Sequence, residues 1–378
     1  MDSPSASLSI GNFSSSSSSS ENSSDEETTT QGLQMFAMAY YYRLQHTRTT
    51  TRRVINRNRV TAHQRLMDDY FSENPLYGDE IFRRRFRMSK ELFLRIVSDL
   101  EQEYMYFTQG SDARGRIGFS PLQKCTSAIR QLAYGAVPDT QDEYLKMSER
   151  MSRECLEHFC YGIVQLYARE YLRKPTASDV HHLYAAHESK HGFPGMLGSL
   201  DCTHWSWRNC PTEWRGQYMR GDHEHPTIML EAVASQDLWF WHAFFGPPGS
   251  NNDINVLNQS PLFNDVLNGV APDMSFVVNN VQYKHGYYLV DGIYPDYPTL
   301  MKAFSYPTDP KRIKFKAAQE SARKDIERAF GVLKARWAIV NNPARAWRPA
   351  KIRTVMYAYV ILHNMILKDE VEFLPVEY

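Results

Sequence analysis

No charge of one sign dominates this chain. Its 378 residues carry 43 Lys+Arg against 43 Asp+Glu, so net charge selects no class of partner. Disulfide chemistry is equally lacking. Cys125, Cys155, Cys160, Cys202 and Cys210 are odd in number and include no C-x-x-C pair, which argues for a reducing compartment. No run of about 18 apolar residues occurs, so no membrane span is expected. The opening Met1-Asp2-Ser3 begins no charged-then-apolar signal pattern. The H-E-x-x-H zinc motif is missing, His223-Glu224-His225 has no further ligands close by, and no internal repeat is visible. The expectation is an intracellular soluble protein. With 42% hydrophobic and 13% aromatic residues, it has the composition of a folded chain, long enough for one large core or two modest ones.

What is present is unevenly distributed. Residues 1–32 are Ser/Thr-rich and acidic, with an unbroken serine run from Ser14 to Ser20; such a segment buries too little apolar surface to offset ordering entropy and is expected to be disordered. Residues 33–68 form a basic arm. From Arg43 to Arg65 it carries Arg48, Arg52, Arg53, Arg57 and Arg59 with no opposing acid, which suits nucleic acid, a nuclear import receptor or a solvated linker.

Residues 69–185 have helical periodicity. Ser89 is placed as N-cap of SKELFLRIVSDL, and Ser120-Pro121 opens SPLQKCTSAIRQLAYGA, which ends near Gly135. Another helix is predicted over roughly 150–171. Two shorter helices and a longer one fit a helix-turn-helix or a plain bundle. After Gly192-Phe193-Pro194-Gly195 the pattern changes to strands: MLGSLDCTHW, then TIMLEAVAS and LWFWHAFFG joined by Gln236-Asp237, then YYLVDG. A basic loop with Lys311, Arg312, Lys314 and Lys316 follows, then the helix ARKDIERAFGVLKARW and a last one around 352–367. Residues 186–370 are therefore expected to form an α/β domain.

Acids sit at telling places. Asp201 and Asp291 each end an apolar strand in this reading, and a buried aspartate is costly unless it is paired or bound to metal. On adjacent strands the two carboxylates would need a cation between them, and hard divalent ions prefer oxygen ligands. On the late helix, Ile326, Phe330 and Leu333 form the buried stripe, while Arg323, Glu327 and Lys334 share another side. Two strand-end aspartates and a helix glutamate suit two-metal phosphoryl transfer. Asp253, in GPPGSNNDINVL, is either a helix N-cap or a fourth acidic ligand. Trp205, Trp207 and Trp214, interleaved with Arg208, Arg215 and Arg220, suit core packing or base stacking.

The blocks SLDCTHW, PGSNNDINVL, YYLVDGIYP and ARKDIERAFGVLKARW, in that order, resemble those of plant Harbinger/PIF-type DDE transposases and the transposase-derived ALP1-like nucleases. The likeness covers roughly residues 70–368. It implies an RNase H-like DDE nuclease domain preceded by an all-α region, with Asp201, Asp291 and Glu327 catalytic. The same three and Asp253 would lie at Mg²⁺ or Mn²⁺, with DNA contacts from Arg323, Arg328, Lys334 and Arg336 beside the Arg52-Arg53 arm. Cys202 departs from the glycine many members have there. The implied chemistry is DNA cleavage to a 3′-hydroxyl and joining of that hydroxyl to target DNA. The implied setting is the nucleus, with a Myb/SANT-like DNA-binding partner and a homo-oligomer. A non-catalytic nuclear protein that keeps the fold to bind DNA or chromatin partners is the alternative.

Overall fold

The computed structural model describes residues 32–42, 55, 57–269 and 274–373; the serine run, Arg52 and Arg53 lie outside the described residues. The chain divides into Met1–Asn56 and Arg57–Tyr378. In the first unit residues 32–42 are helical with every side chain exposed.

The second unit is mixed α/β. Its helical part comprises α1 (Arg59–Leu66), α2 (Asp79–Phe86), α3 (Lys90–Glu103), α4 (Pro121–Tyr134), α5 (Gln141–Leu145), α6 (Glu149–Tyr171) and α7 (Ala177–His191). Local signals set several of these boundaries. The Ser89 hydroxyl accepts from the Leu92 N–H to start α3, and Ser120 and Gln123 close a capping box on α4, with Pro121 at its first position. α4 stops at Gly135, whose φ of 60° belongs to the left-handed region that glycine enters freely.

The arm expected over 33–68 thus includes α1, and three of its arginines are engaged inside the unit. Arg57 pairs with Asp142 at 2.5 Å, while Arg59 lies over the Phe119 ring and Arg65 over Tyr144. α4 is buried along most of its length; even Lys124, Ser127 and Gln131 are inside. That leaves α4 itself little free surface.

The strands β1 (Met196–Ser206), β2 (Thr227–Ala234), β3 (Phe240–Pro248), β6 (Tyr287–Leu289) and β7 (Leu300–Met301) form one sheet in the order β3-β2-β1-β6-β7. A separate ribbon pairs β4 (Phe276–Val278) with β5 (Val281–Tyr283). β1, β2 and β3 are antiparallel, as the Gln236-Asp237 join predicts, whereas β1–β6 and β6–β7 are parallel. Between them run α8 (Thr212–Tyr218), α9 (Asp253–Gln259) and α10 (Asn264–Leu267), and α11 (Pro310–Arg336) and α12 (Pro349–Phe373) close the chain.

Two strand and helix limits differ from expectation. β1 does not end at Asp201 but continues to Ser206, because β2 pairs with it over the whole stretch from Ser199↔Ala234 to Ser206↔Thr227. The basic segment Lys311–Lys316 is not a loop. Asp309 caps the Lys311 and Arg312 N–H groups and Pro310 takes the first helical position, so α11 starts about three turns before the apolar stripe at Ala322 appears.

One hydrophobic cluster joins Phe82, Phe93 and Ile129 of the helical part to Trp205 and Phe245 of the sheet and to Phe330 and Met356 of the last helices. A smaller cluster on the other face gathers Leu200, Val233, Leu257, Val290 and Tyr294. Trp205 and Trp207 are core residues whose indole N–H groups donate to the Asn342 and Ala346 carbonyls, so neither is free to stack on a base; Trp214 is exposed. Among the described residues no helix is long and apolar enough to cross a membrane.

Candidate active site

The parallel register between β1 and β6 relates the first two acids. Ser199 is paired with Leu289; two residues further on stand Asp201 within β1 and Asp291 just past the end of β6. Neighbouring strands run about 4.8 Å apart, and the register sends both aspartates toward the same end of the sheet. β6 stops at Leu289 while β1 continues, and this opens the edge of β1 at Asp201. The Asp201 Oδ1 accepts from the Cys202 N–H at 2.9 Å, and the Asp291 Oδ1 accepts from the Gly292 N–H at 2.6 Å.

α11 crosses the same face of the sheet. Its core stripe of Ala322, Ile326, Ala329, Phe330 and Leu333 is buried, and the Ser199 hydroxyl donates to the Ala322 carbonyl. With this stripe fixed, a helix advancing 100° per residue presents Arg323, Glu327 and Lys334 in one file along β1. Arg323 pairs with Glu327 at 3.2 Å. Lys334 donates from Nζ to the Thr203 hydroxyl at 3.1 Å, and Thr203 is the next residue after Asp201 on that side of the strand. The helix therefore carries a carboxylate toward Asp201, flanked by a cation on each side.

Asp253 is not the cap of its helix. Asn252 is, accepting from the Asn255 N–H at 2.9 Å, and the Asp253 carboxylate instead accepts from the Cys202 thiol. Its neighbours are Cys202, Asp291, Glu231 and Arg220. Cys202 lies on the face opposite Asp201, with its sulfur 3.7 Å from the Tyr294 hydroxyl, and burial pushes its thiol far up. It packs as a neutral thiol.

Electrostatics ties these groups into one site. Burial, above all, pushes Asp201 up to about 6; the Cys202 N–H and Arg323 oppose the rise, and the charges of Asp253 and Glu327 add to it. Burial also raises Asp253, with Asp291 and Glu231 contributing. Burial is thus the largest cause, and the negative charges add to the rise of Asp201 and Asp253 against the opposing Arg323 and Arg220. The donors of Asp201, Asp253, Asp291 and Glu327 are all oxygen, the set that hard Mg²⁺ or Mn²⁺ prefers, although among the described residues these carboxylates are not gathered as closely as the ligand atoms of one ion.

Other expected contacts go elsewhere. Arg328 points to Asp325 and pairs with it. Arg336, about two and a half turns beyond Glu327, faces the opposite side of the helix, against His363 and Glu370 of α12, at 3.1 Å from the latter carboxylate. Of the cations named on this helix, the structure brings Arg323 and Lys334 to the site and not these two. Sequence reasoning missed Glu231, fully buried in β2 and 3.2 Å from His242. An acid inside the apolar run TIMLEAVAS was the signal that could have found it.

Comparison with known proteins bears on the same region. Residues 169–374 match a family described as plant transposon protein, a span that includes all four acids, and residues 63–101 match a domain of unknown function. An Arabidopsis thaliana protein named "Protein ALP1-like" is 25% identical over 315 residues, covering 80% of this chain and 75% of that one. The Xenopus laevis "Putative nuclease HARBI1" is 22% identical over 258 residues, 67% of this chain and 70% of its own. No solved structure matches.

Proposed function

The chain belongs to the plant transposon protein family, and from that premise we propose that it is a metal-dependent DNA endonuclease of the RNase H-like DDE kind, descended from or acting as a Harbinger-type transposase. The observation that supports this reading is the β1–β6 register, in which Asp201 and Asp291 each follow the Ser199–Leu289 pair by two residues, together with the action of the Glu327 charge on Asp201. The strand order β3-β2-β1-β6-β7, three antiparallel strands followed by two parallel ones, supports the RNase H-like assignment. A relative named as a nuclease supports the activity.

In this reading Asp201, Asp291 and Glu327 hold Mg²⁺ or Mn²⁺, and Asp253 adds negative charge beside them. The bound ions supply the Lewis acidity and charge neutralisation that in-line phosphodiester cleavage requires. The chain's own residues do the positioning. Arg323 orients the Glu327 carboxylate through its ion pair. Lys334, held by Thr203, presents a cation beside the acids where a backbone phosphate would lie. No side-chain nucleophile is required.

The test is cleavage of supercoiled DNA by the purified chain with Mg²⁺ or Mn²⁺, beside Asp201→Ala, Asp291→Ala and Glu327→Ala. Metal-dependent nicking lost in all three supports the reading; nicking that survives in any of them refutes the triad. The same proposal places the protein in the nucleus as a homo-oligomer, with a Myb/SANT-like partner reading DNA sequence. Recovery of cleavage on adding such a partner to an inert chain would separate a missing reader from a non-catalytic protein.

A further inference from the structure

A second cluster of ligating side chains lies away from the four acids. His187 and His191 stand one turn apart on α7, and Asp325 projects from α11; one ligand atom from each lies within 4.8 Å of both others. His187 and Asp325 are fully buried, and the His191 side chain is 12% exposed. His191 Nε2 is 2.8 Å from Asp325 Oδ2, while Arg328 engages the other carboxylate oxygen. His187 has no hydrogen-bond partner on either ring nitrogen. A buried imidazole with both nitrogens unpaired is costly, and native interiors rarely leave one so.

We propose that His187, His191 and Asp325 form a structural Zn²⁺ site that fastens α7 to α11. The chemistry of the donors selects the ion: two imidazoles and one carboxylate suit Zn²⁺, in contrast to the all-oxygen cluster around Asp201. Burial holds both imidazoles neutral, His187 at about 4, so a lone pair on each is available at neutral pH. Zinc bonds of about 2.0–2.1 Å put tetrahedral ligands roughly 3.3 Å apart, so the widest pair closes by about 1.5 Å at most, a side-chain rotation rather than a movement of helices. Arg328 then hydrogen-bonds the ligating carboxylate, as outer partners of metal ligands commonly do. The fourth position falls to water on the His191 side, where the cluster meets solvent.

The site has a place in the architecture. α7 leads through Gly192–Gly195 into β1, which carries Asp201, and Asp325 precedes Glu327 by two residues on the opposite side of α11. Zinc there fixes the rotation of the helix that presents Glu327. The metal site stands without the nuclease reading; its bearing on Glu327 rests on it.

The full chain, purified without chelator, should contain about one zinc by mass spectrometry. After stripping with EDTA it should bind Co²⁺ with the visible absorption of a tetrahedral ion. Both should persist in Asp201→Ala/Asp291→Ala, which disables the acidic cluster, and be lost when His187→Gln or Asp325→Asn is added to that background. Zinc-edge X-ray absorption of the wild-type chain gives an answer that depends on no variant: N/O ligands with two imidazoles and no sulfur. Failure of the stripped wild-type chain to take up Zn²⁺ at micromolar concentration would overturn the proposal. So would uptake that survives His187→Gln, uptake lost with Asp201 and Asp291, or a sulfur shell. DNA cleavage lost alongside intact zinc uptake would fault the nuclease reading alone.

Discussion

Asp201→Asn should make the metal-free protein more stable. The carboxylate is half-buried, and burial followed by the charges of Asp253 and Glu327 pushes it up to about 6, against about 4 for a solvated aspartate. The native state therefore binds a proton more readily than the unfolded chain between pH 4 and 6. Stability falls as pH rises through that window and stays lower above it. Two pH units correspond to about 3 kcal/mol at most. Asparagine removes the charge and keeps an Oδ1 that can accept the Cys202 N–H. In EDTA, urea melts should show the variant more stable at pH 7 by about 2–3 kcal/mol, a gap that narrows to about half by pH 5. Saturating Mg²⁺ should close or reverse it, because the ion binds only the native wild-type site. A variant no more stable at pH 7, or a gap that does not shrink on acidification, would refute the account of a desolvated, metal-seeking carboxylate.

Lys334→Met should reduce DNA binding about equally for all sequences and lower the salt slope by about one charge in a filter-binding or anisotropy titration. Trp207→Ala, which empties a fully buried site and orphans the Ala346 carbonyl, should cost about 3–5 kcal/mol in denaturant unfolding. Ser120→Ala removes one side of a capping box and should cost about 1 kcal/mol in the same assay. Gln319 donates from one amide nitrogen to the Val290 and Met301 carbonyls at 3.0 Å each; Gln319→Leu should destabilise by about 1–3 kcal/mol. It should also slow cleavage, since Val290 adjoins Asp291.

What could be read before the fold was known follows a physical line. Caps and turn residues act locally, so Ser89, Ser120, Gly135 and the Gln236-Asp237 join marked their elements correctly. Strand ends depend on neighbours. Nothing in CTHWS says that β2 accompanies β1 to Ser206 while β6 stops beside Ser199, yet that mismatch is what opens Asp201. The charges on Lys311–Lys316 resembled a loop because that end of α11 is largely solvated and its helicity comes from Asp309 and Pro310. Periodicity showed that α4 buries a face but not that it buries nearly all of them. His187 and Asp325 sit more than a hundred positions apart in the chain, and only packing makes them partners.

The length of α11 bears on how this sequence can change over time. A single uninterrupted 27-residue helix carries the Gln319 clamp, Arg323, Asp325, Glu327 and Lys334, so their relative bearings are set by counting residues. One inserted or deleted residue between Gln319 and Lys334 turns everything beyond it by about 100° and shifts it by about 1.5 Å. Either the clamp or the file along β1 would then be lost. Point changes at exposed positions such as Glu320, Lys324 and Gly331 leave those bearings alone. Length variation among descendants of this chain should therefore collect ahead of Asp309 and be purged between the clamp and Lys334. Lineages can drift in composition along this rod but not in its arithmetic.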